Sequence, residues 1–176
     1  LEFNFSPDIY LYRLSDCILS YPFCEILVDN KIAWESFHSE YAMRRYLLNE
    51  DNQYPFVTSV EFSKLTSSAP LFFLPTRWSD TNYFHWVVEC LPKLAIYKEL
   101  KKQNPAIRLL CTKGNDTGFH KQWLDLLGID LDDVIYLDAS SKFLVSNLFY
   151  VPTLGANHTN KYSINALQHM LLDSPM

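Results

Sequence analysis

LFFLPTRWSDTNYFHWVVECLPKLAIYKELKKQNPAIRLLC, residues 71–111, is the stretch on which the fold turns. It opens and closes with short apolar runs, 71–74 and 107–111, that suit buried strands; Pro70 and Pro75 bound the first. Between them, Phe84, Val87, Val88, Leu91, Leu94 and Ala95 recur at three- and four-residue spacing, which predicts one buried stripe on a helix over 82–102. Asp80, Thr81 and Asn82 can cap its start, because their side-chain oxygens accept backbone N–H groups that have no helical partner. Pro92 removes one hydrogen bond in mid-helix and predicts a kink.

The alternation continues downstream. A helix is expected over 119–127, closed by Gly128. Strands follow over 134–137 and 143–151, the second ended by Pro152, and then a helix over 161–172. The order from residue 70, β-α-β-α-β-β-α, predicts a largely parallel sheet covered on both faces. Upstream the pattern is less regular. Residues 9–14 alternate as a strand, and 25–28 and 31–34 flank Asp29-Asn30 as a hairpin. Residues 36–48 are ambiguous, 49–55 read as a polar loop, and 56–62 as a further strand. The expectation is an α/β chain: a Rossmann-like parallel-sheet domain over 70–176, with a β-rich, irregular segment, 1–69, packed on the same domain.

Length and composition bound the function. The 176 residues suit one domain with a sizeable core. A net charge of −5 argues against a nucleic-acid partner, which calls for a basic stripe. No apolar run reaches the roughly 18 residues that cross a bilayer, so no transmembrane segment is expected, and peripheral membrane association stays open. Aromatic residues are 15% of the chain, which suits a thick core first and stacking platforms for sugars or bases second. The four cysteines, Cys17, Cys24, Cys90 and Cys111, contain no CxxC pair, so zinc is disfavoured. Reduced thiols and a cytoplasmic location are expected. The sequons at Asn4, Asn115 and Asn157 matter only in a secretory compartment.

The residues that carry chemistry cluster at the start of the long helix. His85 and Glu89 are four apart and share a face beside the apolar stripe. The strand over 71–74 delivers the chain to the carboxyl edge of the sheet, where ligands bind in open α/β folds. Asn82 and His85 would then lie near that crevice, with Glu89 one turn deeper. The bland alternative is a partly exposed i,i+4 pair of little consequence.

NYFHWVVECLPK, residues 82–93, resembles the N-Y-[YF]-H-W-[LV]-x-[DE]-x-L-P-[RK] signature of glycosyltransferase family 61. Gln122-Trp123-Leu124 with Leu127-Gly128-Ile129, then 134–137, then Leu148-Phe149-Tyr150-Val151-Pro152 are similar to later pieces of that family, in the same order. The resemblance spans roughly residues 70–170. It implies one half of a two-domain GT-B fold and transfer of a sugar from a nucleotide-sugar donor to a hydroxyl of a glycan or protein acceptor. In a bacterium, capsule or exopolysaccharide synthesis is the natural setting; in a eukaryote, the secretory lumen. The family's Arg-rich segment and later Gly-Ala motif belong to its second domain. Neither is found here, so the expectation is an acceptor-side half, inactive alone, that lacks its donor domain and needs no further cofactor. Carried onto this chain, the polar signature positions are Asn82, His85 and Glu89. The resemblance and the chemistry together suggest Glu89 as the base that deprotonates the acceptor, with His85 orienting it; His85 as the base is the close rival.

Asp80, Asn82, His120 and His158 complete the expected substrate contacts. His120 opens the next helix beside the same crevice, and His158 follows a strand in a loop. Asp130-Leu131-Asp132 spells D-x-D but reads as a solvated connection, so no metal is expected. GxGxxG, GxxxxGK[ST] and GxSxG are all absent, which argues against dinucleotide, P-loop and α/β-hydrolase chemistry. The alternative to a transferase is a non-catalytic carbohydrate-binding or interaction module on the same fold.

Overall fold

The computed structural model describes residues 9–21, 24–29, 31–33, 36, 63–65, 67–113, 118–137, 142–153 and 161–173. The expected strand over 56–62 and the ambiguous 37–48 lie outside them, as do 154–160, which include His158.

Among the described residues eight strands form one mixed sheet. They are β1 (Tyr12–Ser20), β2 (Glu25–Val28), β3 (Lys31–Ile32), β4 (Ser63–Lys64), β5 (Leu71–Phe73), β6 (Arg108–Thr112), β7 (Val134–Leu137) and β8 (Lys142–Tyr150). Their order is β3-β2-β1-β8-β5-β6-β7, with β4 also on β8. From β8 to β7 all neighbours are parallel, as the alternation predicts. β1 joins β8 antiparallel along its length, and β2 and β3 continue antiparallel outward. The first strand therefore sits later than the alternation over 9–14 suggested. Pairing on both sides, with Cys17 and Leu19 buried, fixes it there.

The two faces of the sheet have different covers. Side chains alternate along a strand, so neighbours point to opposite faces. Phe72, Leu109 and Cys111 pack with Leu94 and Tyr97 of α2 (Lys93–Gln103), Leu124 of α3 (Phe119–Leu126) and Met170 of α4 (Lys161–Leu172). Leu71, Phe73 and Leu110 pack instead with Cys17, Leu19, Ile26, Phe143 and Val145. Among the described residues every helix of eight or more residues thus joins the first cluster, and none joins the second. The sheet is covered on both faces, but the second cover is made of strand.

A bend makes that possible. Lys142 lies six residues before Leu148, the partner of Leu71, so a straight β8 would carry its amino end roughly 20 Å beyond the parallel strands. Yet Tyr21, next to the partner of Lys142, hydrogen-bonds through its hydroxyl to Thr112 Oγ1, at the opposite end of β6. The β1–β8 ribbon therefore curls back over the face. Asp16, exposed at mid-strand with φ +49°, marks a local break in β1, a conformation that Asp tolerates better than bulky residues do.

The long helix expected over 82–102 is three pieces. α1 is Tyr83–His85, a π-helical turn covers Trp86–Cys90, and α2 begins at Lys93. Pro92 has no N–H to continue the ladder, and the Leu91 N–H reaches back five residues to the Trp86 carbonyl at 3.1 Å. The wider turn shifts the helical phase. Phe84, expected in the buried stripe, is exposed, while Trp86, Glu89, Cys90 and Lys93 are buried.

If the bent ribbon is half of the core, truncating it should cost as much as truncating a helix. Leu19→Ala and Leu94→Ala are each expected to lower stability by roughly 2–5 kcal/mol, read from urea midpoints. A Leu19→Ala loss below about 1 kcal/mol would mean that the ribbon is only loosely attached.

Candidate active site at the carboxyl edge of the parallel strands

β5 ends at Phe73, and the chain then turns across the carboxyl edge of the sheet. The turn is tied by its own side chains. The Thr76 N–H donates to Ser79 Oγ at 3.1 Å, and the Ser79 hydroxyl donates back to the Thr76 carbonyl at 2.7 Å. Trp78 sits at φ +76°, a strained conformation for a large side chain, and its carbonyl accepts from the Thr81 and Asn82 N–H groups. Asn82 caps α1, its side chain accepting from the Phe84 N–H at 3.0 Å.

Glu89 comes off the π turn pointing inward and has no exposed surface. It accepts from both sides: His85 Nδ1–H donates to Oε1 at 2.9 Å, and the Thr76 hydroxyl donates to Oε2 at 2.9 Å. With Nδ1 donating, the lone pair of the imidazole lies on Nε2. The His85 side chain keeps 14% of its surface exposed, so His85 is the member of the pair that a ligand reaches.

A buried polar layer surrounds the pair. Lys93 is buried with its ammonium 5.9 Å from the centre of the Tyr150 ring. Burial lowers its pKa, against the opposing pull of Cys90, Cys24 and Glu89. Glu25, at the start of β2, is buried with Oε2 unpartnered; burial pushes it up to about 7, with Arg77 pulling the other way. Burial also raises Cys24, Cys90 and Cys111, so these thiols are poor nucleophiles. No disulfide joins the four cysteines, Cys17 and Cys24 included.

His120 belongs to the same network. It is buried, and its Nε2–H donates to the Ser79 carbonyl at 2.7 Å. Its pKa is lowered by burial, opposed by that bond and by Asp80. A continuous path thus runs from His120 through the Thr76–Ser79 turn to Glu89 and His85.

Of the residues expected from sequence, the structure brings together His85, Glu89 and His120, and places Asp80 in the turn that joins them. Asn82 is exposed and has a capping role. Asp130-Leu131-Asp132 lies just before β7, and the Asp130 side chain caps its own turn by accepting from the Asp132 N–H. Among the described residues no group of three or more metal-ligating side chains occurs, and no helix is long and apolar enough to cross a membrane. Thr76, Glu25 and Lys93 were not singled out in the sequence. Thr76 carries a signal there, since it closely follows a buried strand at the carboxyl edge. Glu25 carries none, because only the bent ribbon brings it near.

Compared with protein-family models, curated proteins and solved structures, the chain finds no match in any of the three.

Glu25 gives this region a pH signature. Its pKa in the folded protein, about 7, lies above the ordinary value of 4.5, so folding favours the protonated acid. Its contribution is fully present below the unfolded pKa and is lost as pH rises through 7. Thermal melts should therefore show Glu25→Gln gaining on the parent protein between pH 5 and 8, by roughly 1–3 kcal/mol. A pH-independent difference would overturn the assignment.

Proposed function

We propose that this chain is the acceptor-side half of a GT-B glycosyltransferase, with a Rossmann-like sheet, that transfers a sugar from a nucleotide sugar to a hydroxyl of a glycan or protein. The observation that carries the proposal is the His85–Glu89 pair, built into the carboxyl edge of the parallel strands within the 82–93 stretch that resembles the family signature. Sugar transfer needs a base for the attacking hydroxyl. As the hydroxyl oxygen bonds to the sugar's anomeric carbon, its proton leaves to the base, and the bond from that carbon to the phosphate oxygen breaks to release the nucleotide.

Of the two assignments the sequence left open, burial favours the second. Glu89 is enclosed, whereas the imidazole is partly exposed, so His85 takes the proton at Nε2. Glu89 is then a positioning residue that holds the tautomer and steadies the imidazolium, and Thr76 fixes the carboxylate.

A second reading, a glycan-binding module without catalysis, draws on Trp78, Tyr83 and Phe84. Each ring is about half exposed beside the pair, and sugar C–H faces stack on such rings.

Nucleotide release from UDP-, GDP- and CMP-sugars tests the proposal in the longest chain that the reading frame encodes. His85→Ala is expected to lower turnover by roughly 10²–10⁴-fold with melting temperature retained. Glu89→Gln should also lower it, and the double variant should lose little more than His85→Ala, because the pair acts as a unit. Near-normal turnover of His85→Ala would remove the base assignment. Sugar binding without nucleotide release would favour the module.

A further inference from the structure

The rim of the site bears on which hydroxyl it accepts. Trp78, Tyr83 and Phe84 each leave about half of their surface in water, yet each ring is held in place. Tyr83 accepts the Trp123 Nε1–H at 3.1 Å and meets the Phe119 ring edge-on, with centroids 5.3 Å apart. Phe84 stands at 82° to the His85 imidazole, with centroids 5.8 Å apart. The Arg77 guanidinium lies 5.0 Å from the centre of the Trp78 ring. Asn82 ties Trp78 and Phe84 to one turn: its N–H donates to the Trp78 carbonyl at 2.8 Å, and its side chain accepts from the Phe84 N–H at 3.0 Å.

Trp78 is the costly member of this rim. At φ +76° a large aromatic residue is strained where glycine would sit at ease. The strain gains nothing for the core, since Trp78 joins neither apolar cluster. A ligand that stacks on the ring accounts for both the strain and the exposure.

The neighbours of His85 select the class of ligand. The attacking hydroxyl has to lie within hydrogen-bond reach of the base, roughly 2.6–3.2 Å, so the group that bears it rests against Phe84. For a sugar hydroxyl that group is the sugar ring, whose C–H faces suit an aromatic plane while its hydroxyls, around the ring edge, keep their water. For a serine or threonine hydroxyl it is a peptide main chain, whose N–H and C=O groups would be desolvated against a phenyl ring that offers them no hydrogen bond.

We infer that the acceptor is a glycan chain and not a protein side chain, its reacting sugar stacked on Phe84 beside His85 and a second sugar on Trp78. The inference rests on the transferase reading and adds the acceptor class to it.

Acceptor-stimulated nucleotide release tests it, in the longest chain that the reading frame encodes and with the same donor panel. Cellohexaose, xylohexaose and chitohexaose are compared with a peptide rich in serine and threonine. Release is expected to rise with at least one hexaose and not with the peptide. Trp78→Gly and Phe84→Ala should each raise the KM for that hexaose by roughly three- to tenfold, the scale of one aromatic stack, and by more than they lower kcat. Phe84→Tyr, which keeps the ring, should restore the parent KM. Trp78→Gly has a second readout: it relieves the left-handed backbone, so its melting temperature should match or exceed the parent's, which a merely structural tryptophan would not allow. If its melting temperature falls instead, Trp78 is structural and Phe84→Ala decides the matter. Release driven by the peptide alone, or a KM unchanged in both variants, would overturn the inference and leave the transferase reading standing. Release from no donor with any acceptor would remove both.

Discussion

A carboxylate with no exposed surface has to be satisfied from within, and Glu89 sets that demand at the centre of this molecule. An ionised group out of water costs several kcal/mol unless hydrogen bonds replace its hydration. Two donors meet the demand, one through helical spacing and the other through a local departure from regular structure. His85 reaches it only because both residues lie on one helical face. Thr76 reaches it because the turn after β5 is tied by Ser79 and carries a strained Trp78. The π turn ahead of Pro92 completes the arrangement, by rotating Glu89 inward where an unbroken α-helix would have left it beside the apolar stripe.

The bent ribbon serves the same end. Parallel strands leave their carboxyl edge open, and in this protein Tyr21, just past the end of β1, reaches back over it. Tyr21 docks on Thr112, and Cys24 and Glu25 follow into the layer around Lys93. The result is a polar network roofed on one side and reachable on the other through His85. The roof lowers the local dielectric, which strengthens the hydrogen bonds beneath it and raises the cost of any left unmade. Glu25, buried with Oε2 unpartnered and pushed up to about 7, shows the second effect.

These departures also mark what could be read from the sequence. The parallel strands, α3, α4 and the hairpin of β2 and β3 were all legible, since each rests on a local period or a short turn. Gly128, at φ +67°, closes α3 as its position suggested. The phase of the segment before α2 was not legible. Periodicity read at 3.6 residues per turn runs straight through Trp86–Cys90, and so puts Phe84 inside and Glu89 at the side. The ribbon was hidden for a different reason. Its pairing joins Tyr12 to Tyr150, a contact no local pattern announces, and its curl shows only in what Tyr21 touches. His85 and Glu89 were found by spacing and by their place at a strand's end. Thr76 and Lys93, which complete their surroundings, were missed because a hydroxyl after a strand and a lysine after a proline are common as surface residues.

Lys93 shows that the polar layer is not arranged for stability alone. A lysine at this depth costs desolvation, and its lowered pKa is the direct trace of that cost. Replacing buried charges with apolar side chains of matching volume is often neutral or stabilising. A fold seeking only stability would continue the apolar core of Phe72, Leu94 and Leu109 through this position. Instead an ammonium, two carboxyl groups and two imidazoles meet at one edge of one sheet, next to a strained tryptophan. Local rules are broken together where a protein does chemistry, and among the described residues this edge is where the breaks coincide: Trp78, the π turn, Glu25 and His120.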